Sequence, residues 1–120
     1  MELDVDLIFD KSTPLLLLLS IGYGNAHIVS QIPGKETVEN ILEFIATYKA
    51  EKGAHWVEMG HFGSCPITLT LTNDTIAVIM DSDLRVGGFG QSAGLYIPRE
   101  LLDGFVVALS EARRGFINKR

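Results

Sequence analysis

The residue types best suited to chemistry in this sequence are one cysteine and two histidines near the middle of the chain. His55 and His61 have the same parity on a predicted strand, and Cys65 follows His61 by four residues. An imidazole beside a thiol favours the thiolate, so a cysteine nucleophile with a histidine base could be built from them. Gly60 and Gly63 interrupt the strand, however, so parity does not establish that the three side chains meet. We expect Cys65 to be a small buried residue and the protein not to be an enzyme.

Metal binding would need histidines, cysteines or carboxylates at a ligand spacing. The three histidines, at positions 27, 55 and 61, contain no close local pair of the kind that zinc sites commonly use. A single cysteine also excludes a multi-cysteine zinc site and an intramolecular disulfide, and it fits a reducing compartment. We therefore expect no metal site.

A glycine-rich segment late in the chain has the letters of a dinucleotide-binding loop. Residues 88–93, GFGQSA, match the pattern G-x-G-x-x-A. That loop needs a parallel strand before it and a helix after it, whereas here a short strand is predicted to follow. We interpret the segment as a surface loop and expect no cofactor.

The strongest candidate for a functional surface is an acidic and aromatic region near the end of the last predicted hairpin. Residues 81–94 contain four glycines and no hydrophobic period, so we predict a long loop. Long ordered loops in small domains are often functional, and an exposed aromatic ring beside charges suits a protein interface. The predicted partner-binding residues are Asp74, Asp81, Asp83, Arg85, Phe89 and Gln91.

The composition is that of a single globular domain over residues 1–120. Hydrophobic residues make up 47% of the chain and charged residues 21%, which excludes disordered and fibrous classes. The net charge is −5, with the acidic excess before residue 84 and a basic excess after it. Nucleic-acid binding requires a clustered basic face, so the acidic body argues against nucleic acid as a partner.

The longest apolar run is too short to cross a membrane. It covers residues 15–19 and is extended by Ile21, whereas a spanning helix needs about 20 apolar residues. Acidic rather than basic residues precede it, which is unlike a signal peptide. We expect no membrane contact and a cytoplasmic protein.

Strands are predicted where polar and apolar residues alternate, or where a short apolar run ends in turn residues. These segments are residues 2–9, 14–21, 26–32, 66–72, 75–80 and 93–97. Residues 14–21 are apolar on both faces, so a helix stays open as an alternative there. Residues 55–59 also alternate, with Trp56 and Glu58 on one side. Asn73 and Asp74 are predicted to form a two-residue hairpin turn with positive φ at both positions.

Two helices are predicted from apolar stripes of helical period. The first begins at Lys35, has Lys49 and Lys52 in its last turn and is closed by Gly53. The second has Pro98 as its first residue. Short links between consecutive strands favour antiparallel pairing, so we predict an α+β domain. It has a mainly antiparallel sheet of five or six strands, with the two helices packed on one face.

The arrangement resembles a family of small cytoplasmic proteins. The resemblance rests on the helical segment TVENIL at residues 37–42, the hairpin over residues 63–80, the glycine-rich segment, and IPRELL at residues 97–102. Together these look like immunity proteins of bacterial contact-dependent inhibition and polymorphic toxin systems, at the level of pattern and without a diagnostic motif. The resemblance implies tight binding to one toxin domain and no catalysis.

An acidic domain of this kind could be steered electrostatically to the basic cleft of a nuclease toxin. We therefore expect an immunity protein that neutralises a cognate toxin domain by direct contact, with a nuclease as one candidate. Two alternatives stay open. One is a small enzyme that uses Cys65 with His55 or His61. The other is a ligand-binding or dimeric accessory module, which an apolar cavity or a symmetric exposed sheet edge would favour.

Overall fold

The computed structural model describes residues 2–10, 16–86 and 89–118, and within these ranges it describes only the backbone at 9–10, 16, 81–93 and 115–118. The described chain contains seven strands and two α-helices, with a short 3₁₀ segment before the second helix. The elements are β1 (Leu3–Asp10), β2 (Leu16–Tyr23), β3 (Ala26–Ile32), α1 (Lys35–Tyr48), β4 (His55–Phe62), β5 (Cys65–Leu71), β6 (Thr75–Val86), β7 (Phe89–Pro98), the 3₁₀ segment (Arg99–Leu101) and α2 (Leu102–Asn118).

The strands form one sheet in which the spatial order follows the chain, from β1 to β7. Each strand pairs antiparallel with the next one. The predicted α+β class and the antiparallel pairing of residues 67–72 with 75–80 are confirmed, since Ile67 pairs with Met80 and Leu71 with Ile76. The predicted number of strands, five or six, is too low.

The additional strand is β4, whose pattern is interrupted by Gly60. Met59 has no partner in β5, because the register shifts between Glu58 and Gly60 to form a β-bulge. Gly60 adopts φ +145°. A Cβ atom there would collide with the backbone oxygen of Gln31 and would lie 2.6 Å from Ser30 Oγ. Glycine at this position therefore continues the strand and does not end it.

The predicted loop over residues 81–94 is wrong. β6 continues to Val86 and β7 begins at Phe89, so most of this segment is a hairpin extending from the sheet. A register shift between Ser82 and Arg85 accommodates its irregular part. Strand pairing depends on backbone hydrogen bonds, which glycines can form, so the absence of a hydrophobic period did not mean the absence of a strand. Gly87 and Gly88 lie outside the described residues.

One face of the sheet packs against both helices, and the core lies between them. Val38, Ile41 and Ile45 of α1 and Phe105 and Leu109 of α2 are almost completely buried. Their spacing of three and four residues places each set on one side of its helix. The sheet contributes Val5, Leu19, Ile21, Ile32, Met59, Ile67, Leu69, Leu71, Ile76, Val78, Leu95 and Ile97 to the same cluster. The other face of the sheet is left to solvent in the described part of the chain.

The helix ends differ from the predicted ones. α1 ends at Tyr48, so Lys49 and Lys52 follow the helix and Gly53, at φ +101°, lies beyond it. Pro98 is the last residue of β7, and a 3₁₀ turn separates it from α2. Within the described ranges, neither helix combines the length and the apolar character that crossing a membrane requires.

The turn between β5 and β6 is held by hydroxyl groups and by Arg99. Positive φ values in the described residues occur only at glycines, so the predicted conformation of the Asn-Asp turn is wrong. The Thr75 amide donates to Thr72 Oγ1 at 3.0 Å, and the Thr72 amide donates to the Thr75 carbonyl at 3.0 Å. Arg99 donates to the Thr72 carbonyl at 2.6 Å and to the Lys49 carbonyl at 2.8 Å. These side-chain contacts close the turn without the positive φ values expected there.

Candidate functional site

The face of the sheet opposite the helices carries two exposed aromatic side chains in one row. Pairing places Trp56 of β4 beside Thr70, Thr70 beside Ala77, and Ala77 beside Tyr96 of β7. Trp56 is 68% exposed and Tyr96 is 61% exposed. Three strand spacings separate them, which is about 14 Å along the hydrogen-bonding direction. We call this solvent-facing surface the open face; its described residues include Asp4, Asp6, Ile8, His27, Gln31, Trp56, Glu58, His61, Thr68, Thr70, Ala77, Ile79 and Tyr96.

The Tyr96 ring is accommodated by a neighbouring glycine. Tyr96 lies over Gly94, because a Cβ atom at Gly94 would be 2.8 Å from the Tyr96 ring. The glycine therefore leaves room for the ring to lie flat against the strand. Between the rings lie the small side chains of Thr70, which is partly buried, and Ala77, which is 4% exposed. The surface between the two rings is therefore lower than the rings themselves. Two large rings on either side of a low floor form a surface that a second molecule can contact broadly.

The charge of the strands is strongly acidic. The strand residues with an acidic side chain are Asp4, Asp6, Asp10, Glu58, Asp81 and Asp83, whereas Arg85 is the one lysine or arginine in the strands. Asp4, Asp6 and Glu58 are exposed on the open face. The other lysines and arginines of the described chain lie in the helices, in the 3₁₀ segment or in the residues after α1. The open face therefore attracts cationic groups.

A cavity of about 570 Å³ opens where β3 and β4 diverge. These two strands share a single registered pair, Gln31 with His61, because the chain leaves the sheet after Ile32 and enters α1. The edge of β4 before this pair consequently has no β3 neighbour. The cavity is lined by Leu17, Gln31, Ile32, Pro33, Thr37, Glu58, Met59, Gly60 and His61. Some of these lining residues lie on the helix-covered face of the sheet and others on the open face.

The structure separates the cysteine from the two histidines. The bulge at Met59 reverses the parity of β4, so His55 lies on the helix-covered side while His61 lies on the open face. The shared parity predicted for them is therefore wrong. His55 stacks on Tyr48 of α1 with ring centroids 4.2 Å apart. Cys65 pairs with Phe62 at the opposite end of β4 from His55, which is roughly 20 Å away at the usual rise per strand residue.

The predicted partner-binding residues lie at both ends of β6. Asp74 is exposed in the turn before the strand, whereas Asp81 and Asp83 lie toward its other end. Six residues of extended chain between Thr75 and Asp81 correspond to about 20 Å, so the three carboxylates do not form one cluster. The backbones of Arg85, Phe89 and Gln91 lie in the β6–β7 hairpin; their side chains, like those of Asp81 and Asp83, are outside the described residues.

The open face of the other half of the sheet contains a smaller depression. It measures about 290 Å³ and is lined in part by Asp4, Asp6 and His27. Nevertheless, no group of three or more histidine, cysteine or carboxylate residues in the described ranges is placed to hold a metal ion.

Comparisons with known protein families, with curated proteins and with solved structures each found no match.

Sequence reasoning missed the open face although part of its signal was present. Trp56 and Glu58 alternate with Val57 and Met59, which already indicates a tryptophan on the wet side of a strand. Tyr96 gives no such signal, because its position opposite Ala77 depends on the register of β6 and β7. The cavity has no signal in the sequence, since it results from the offset between β3 and β4.

Proposed function

We propose that the protein is an immunity protein that binds a toxin domain directly and neutralises it without chemistry. The observation that carries this proposal is the exposure of Trp56 and Tyr96 on one row of an acidic sheet face. Tryptophan and tyrosine are the residue types most enriched among the energetically dominant contacts of protein interfaces. A protein partner that covers this face would remove both rings from water.

The charge of the open face favours a basic partner surface. Glu58 lies on β4 two residues from Trp56, Asp4 and Asp6 lie on β1 at the other edge of the sheet, and the described open face has no lysine or arginine. Complementary charge raises the rate of association and excludes acidic competitors. The substrate cleft of a nuclease toxin is basic because it binds phosphates, so a nuclease domain in the cytoplasm fits this surface.

The predicted residues of the β6–β7 hairpin belong to the same proposal. Asp81, Asp83, Arg85, Phe89 and Gln91 continue β6 and β7 beyond the pair formed by Ile79 and Gly94. A partner lying along these two strands would contact both the aromatic row and the hairpin. Asp74, at the other end of β6, would then lie at the margin of the interface.

The experiment is co-expression with a candidate toxin domain, chosen from the genes adjacent to this one. We expect the protein to restore growth of cells that produce the toxin domain, and the purified pair to form a stoichiometric complex in solution. A variant with both Trp56→Ala and Tyr96→Ala should lose protection, while Val107→Ala, on the exposed side of α2, serves as the control. If the unmodified protein neither protects the cells nor binds the purified domain, the proposal is wrong.

A further inference from the structure

The cavity between β3 and β4 has polar groups that accept hydrogen bonds. Glu58 contributes a carboxylate, which when ionised only accepts. His61 Nδ1 lies 3.0 Å from the carbonyl oxygen of Gly63. Since a carbonyl cannot donate, Nδ1 carries the hydrogen, and in the neutral ring Nε2 is an acceptor. Gln31 and Thr37 add groups that can also accept. A ligand group with several N–H donors matches this lining.

The remaining walls are apolar. Leu17, Ile32, Pro33 and Met59 are the apolar lining residues, and of these Pro33 is exposed and Leu17 is partly exposed. A ligand that carries its donors at the end of an aliphatic stem would contact both kinds of wall. Glu58 gives the cavity a negative charge, and no lysine or arginine of the described chain lines it. The matching group is therefore a cation on a short hydrocarbon chain.

The beginning of α1 does not oppose a cation in the cavity. The positive end of a helix dipole disfavours cations, and Thr37 in the first turn of α1 is a lining residue. The carboxylate of Glu36, however, folds back against Gly34 at the start of the helix. This carboxylate offsets the positive end of the helix dipole, so the helix terminus does not cancel the negative charge of Glu58.

We infer that this cavity receives an arginine side chain of the protein partner. The inference rests on the proposed function, because the side chain is part of the partner's basic surface. Arginine fits better than lysine since its planar guanidinium has five N–H donors, which several separated acceptors can share. Glu58 and His61 belong to both the cavity and the open face, so an arginine inserted here anchors a partner lying across the aromatic row.

The test uses the isolated protein and short peptides, so it does not depend on finding the toxin. The ¹⁵N-labelled protein is titrated with acetyl-Gly-Arg-Gly-amide and, separately, with the same peptide containing citrulline, which has arginine's shape without its charge. We expect the arginine peptide to shift the amide signals of Gly60 and His61 saturably at millimolar concentration. We expect the citrulline peptide and the corresponding lysine peptide to bind more weakly.

A matched pair of variants locates the binding. Glu58→Gln should lower the affinity for the arginine peptide by about tenfold, which is the effect of losing one charge-assisted hydrogen bond. Glu43→Gln, the same change on the exposed side of α1, should leave it unchanged. The inference is overturned if the arginine peptide causes no saturable shift at these residues, if citrulline binds equally well, or if both variants behave alike. Peptide binding without toxin binding would refute only the proposed function, and the reverse result would refute only the arginine site.

Discussion

Arg99 donates a hydrogen bond of 2.6 Å to the carbonyl oxygen of Thr72, which lies 27 residues earlier in the chain. Its second terminal nitrogen donates to the Lys49 carbonyl, directly after α1, at 2.8 Å. The Arg99 amide also donates to the Asp74 carbonyl at 3.0 Å. One residue thus joins the end of α1, the turn between β5 and β6, and the segment that leads into α2.

Replacing Arg99 by lysine should lower the free energy of unfolding by about 1–2 kcal/mol, because an ammonium cannot reach both carbonyls with the guanidinium's fixed geometry. The control is Arg113→Lys, since Arg113 makes only a 3.9 Å ion pair with the exposed Glu39. Such surface pairs contribute roughly 0–1 kcal/mol. Urea unfolding of both variants measures the difference. Equal stability of the two variants would show that the hydrogen bonds of the Arg99 side chain do not stabilise the fold.

Gly60→Ala should destabilise the protein by about 2 kcal/mol or more, since a Cβ atom there meets β3 at a φ that other residues rarely adopt. Gly104, in the first turns of α2, has open space at its Cβ position. Gly104→Ala should therefore be neutral or stabilising by about 0.5 kcal/mol. Thermal unfolding compares the pair. If Gly60→Ala proves as stable as Gly104→Ala, the bulge is not dependent on glycine.

Trp56→Ala and Tyr96→Ala should each weaken toxin binding by about 2 kcal/mol or more, mainly through faster dissociation. The effect on folding of Trp56→Ala should be small, because this side chain is 68% exposed. Val107→Ala removes a 56% exposed side chain on α2 and should leave binding unchanged. Surface-based kinetics with the purified toxin domain measure the rates. Unaltered dissociation for both aromatic variants would remove the open face from the interface.

Charge reversal distinguishes how much each of two acidic regions of the sheet contributes to the rate of association. Asp4→Lys with Asp6→Lys changes the open face at β1, whereas Asp81→Lys with Asp83→Lys changes β6 near the hairpin. We expect both pairs to slow association and to reduce its dependence on salt, since carboxylates at an interface rim act mainly on encounter. Glu43→Lys with Glu111→Lys, both exposed on helices, is the control for net charge. If only this control slows association, steering does not involve the sheet.

Cys65→Ala should leave growth protection intact, with a stability loss of at most about 1 kcal/mol. The reason is that neither histidine candidate shares its position, since His61 lies on the other face and His55 at the far end of β4. The protection assay is the readout, and circular dichroism verifies folding. Loss of protection in a folded Cys65→Ala protein would instead support an enzyme.

Much of the fold was predictable because its determinants are local. The stripe of α1 and the alternation of β5 and the first part of β6 depend on neighbours within a few residues, and these three segments lie where those patterns place them. The parity of β4 was not predictable in this way. One extra residue, Met59, moves His61 to the other face, and the bulge coincides with the close approach of Gly60 to Ser30 and Gln31 of β3, which are distant in the chain.

The candidate site depended even more on distant pairing. Trp56 could be assigned to a wet face from its own strand, but its relation to Tyr96 requires the registers of three strand pairs. Arg99 was part of a recognisable helix start, yet its acceptors at Thr72 and Lys49 are 27 and 50 residues away. The β6–β7 hairpin lacked a hydrophobic period, so only backbone pairing identifies it.

The acidic character of the open face also bears on how copies of this protein meet one another. Exposed aromatic rings such as Trp56 and Tyr96 on a sheet would ordinarily promote self-association. Two copies approaching face to face would bring two surfaces together that carry carboxylates and no lysine or arginine in their described parts, and like charges repel. The same carboxylates that would attract a basic partner thus also oppose the stacking of two copies, and added salt weakens both effects together.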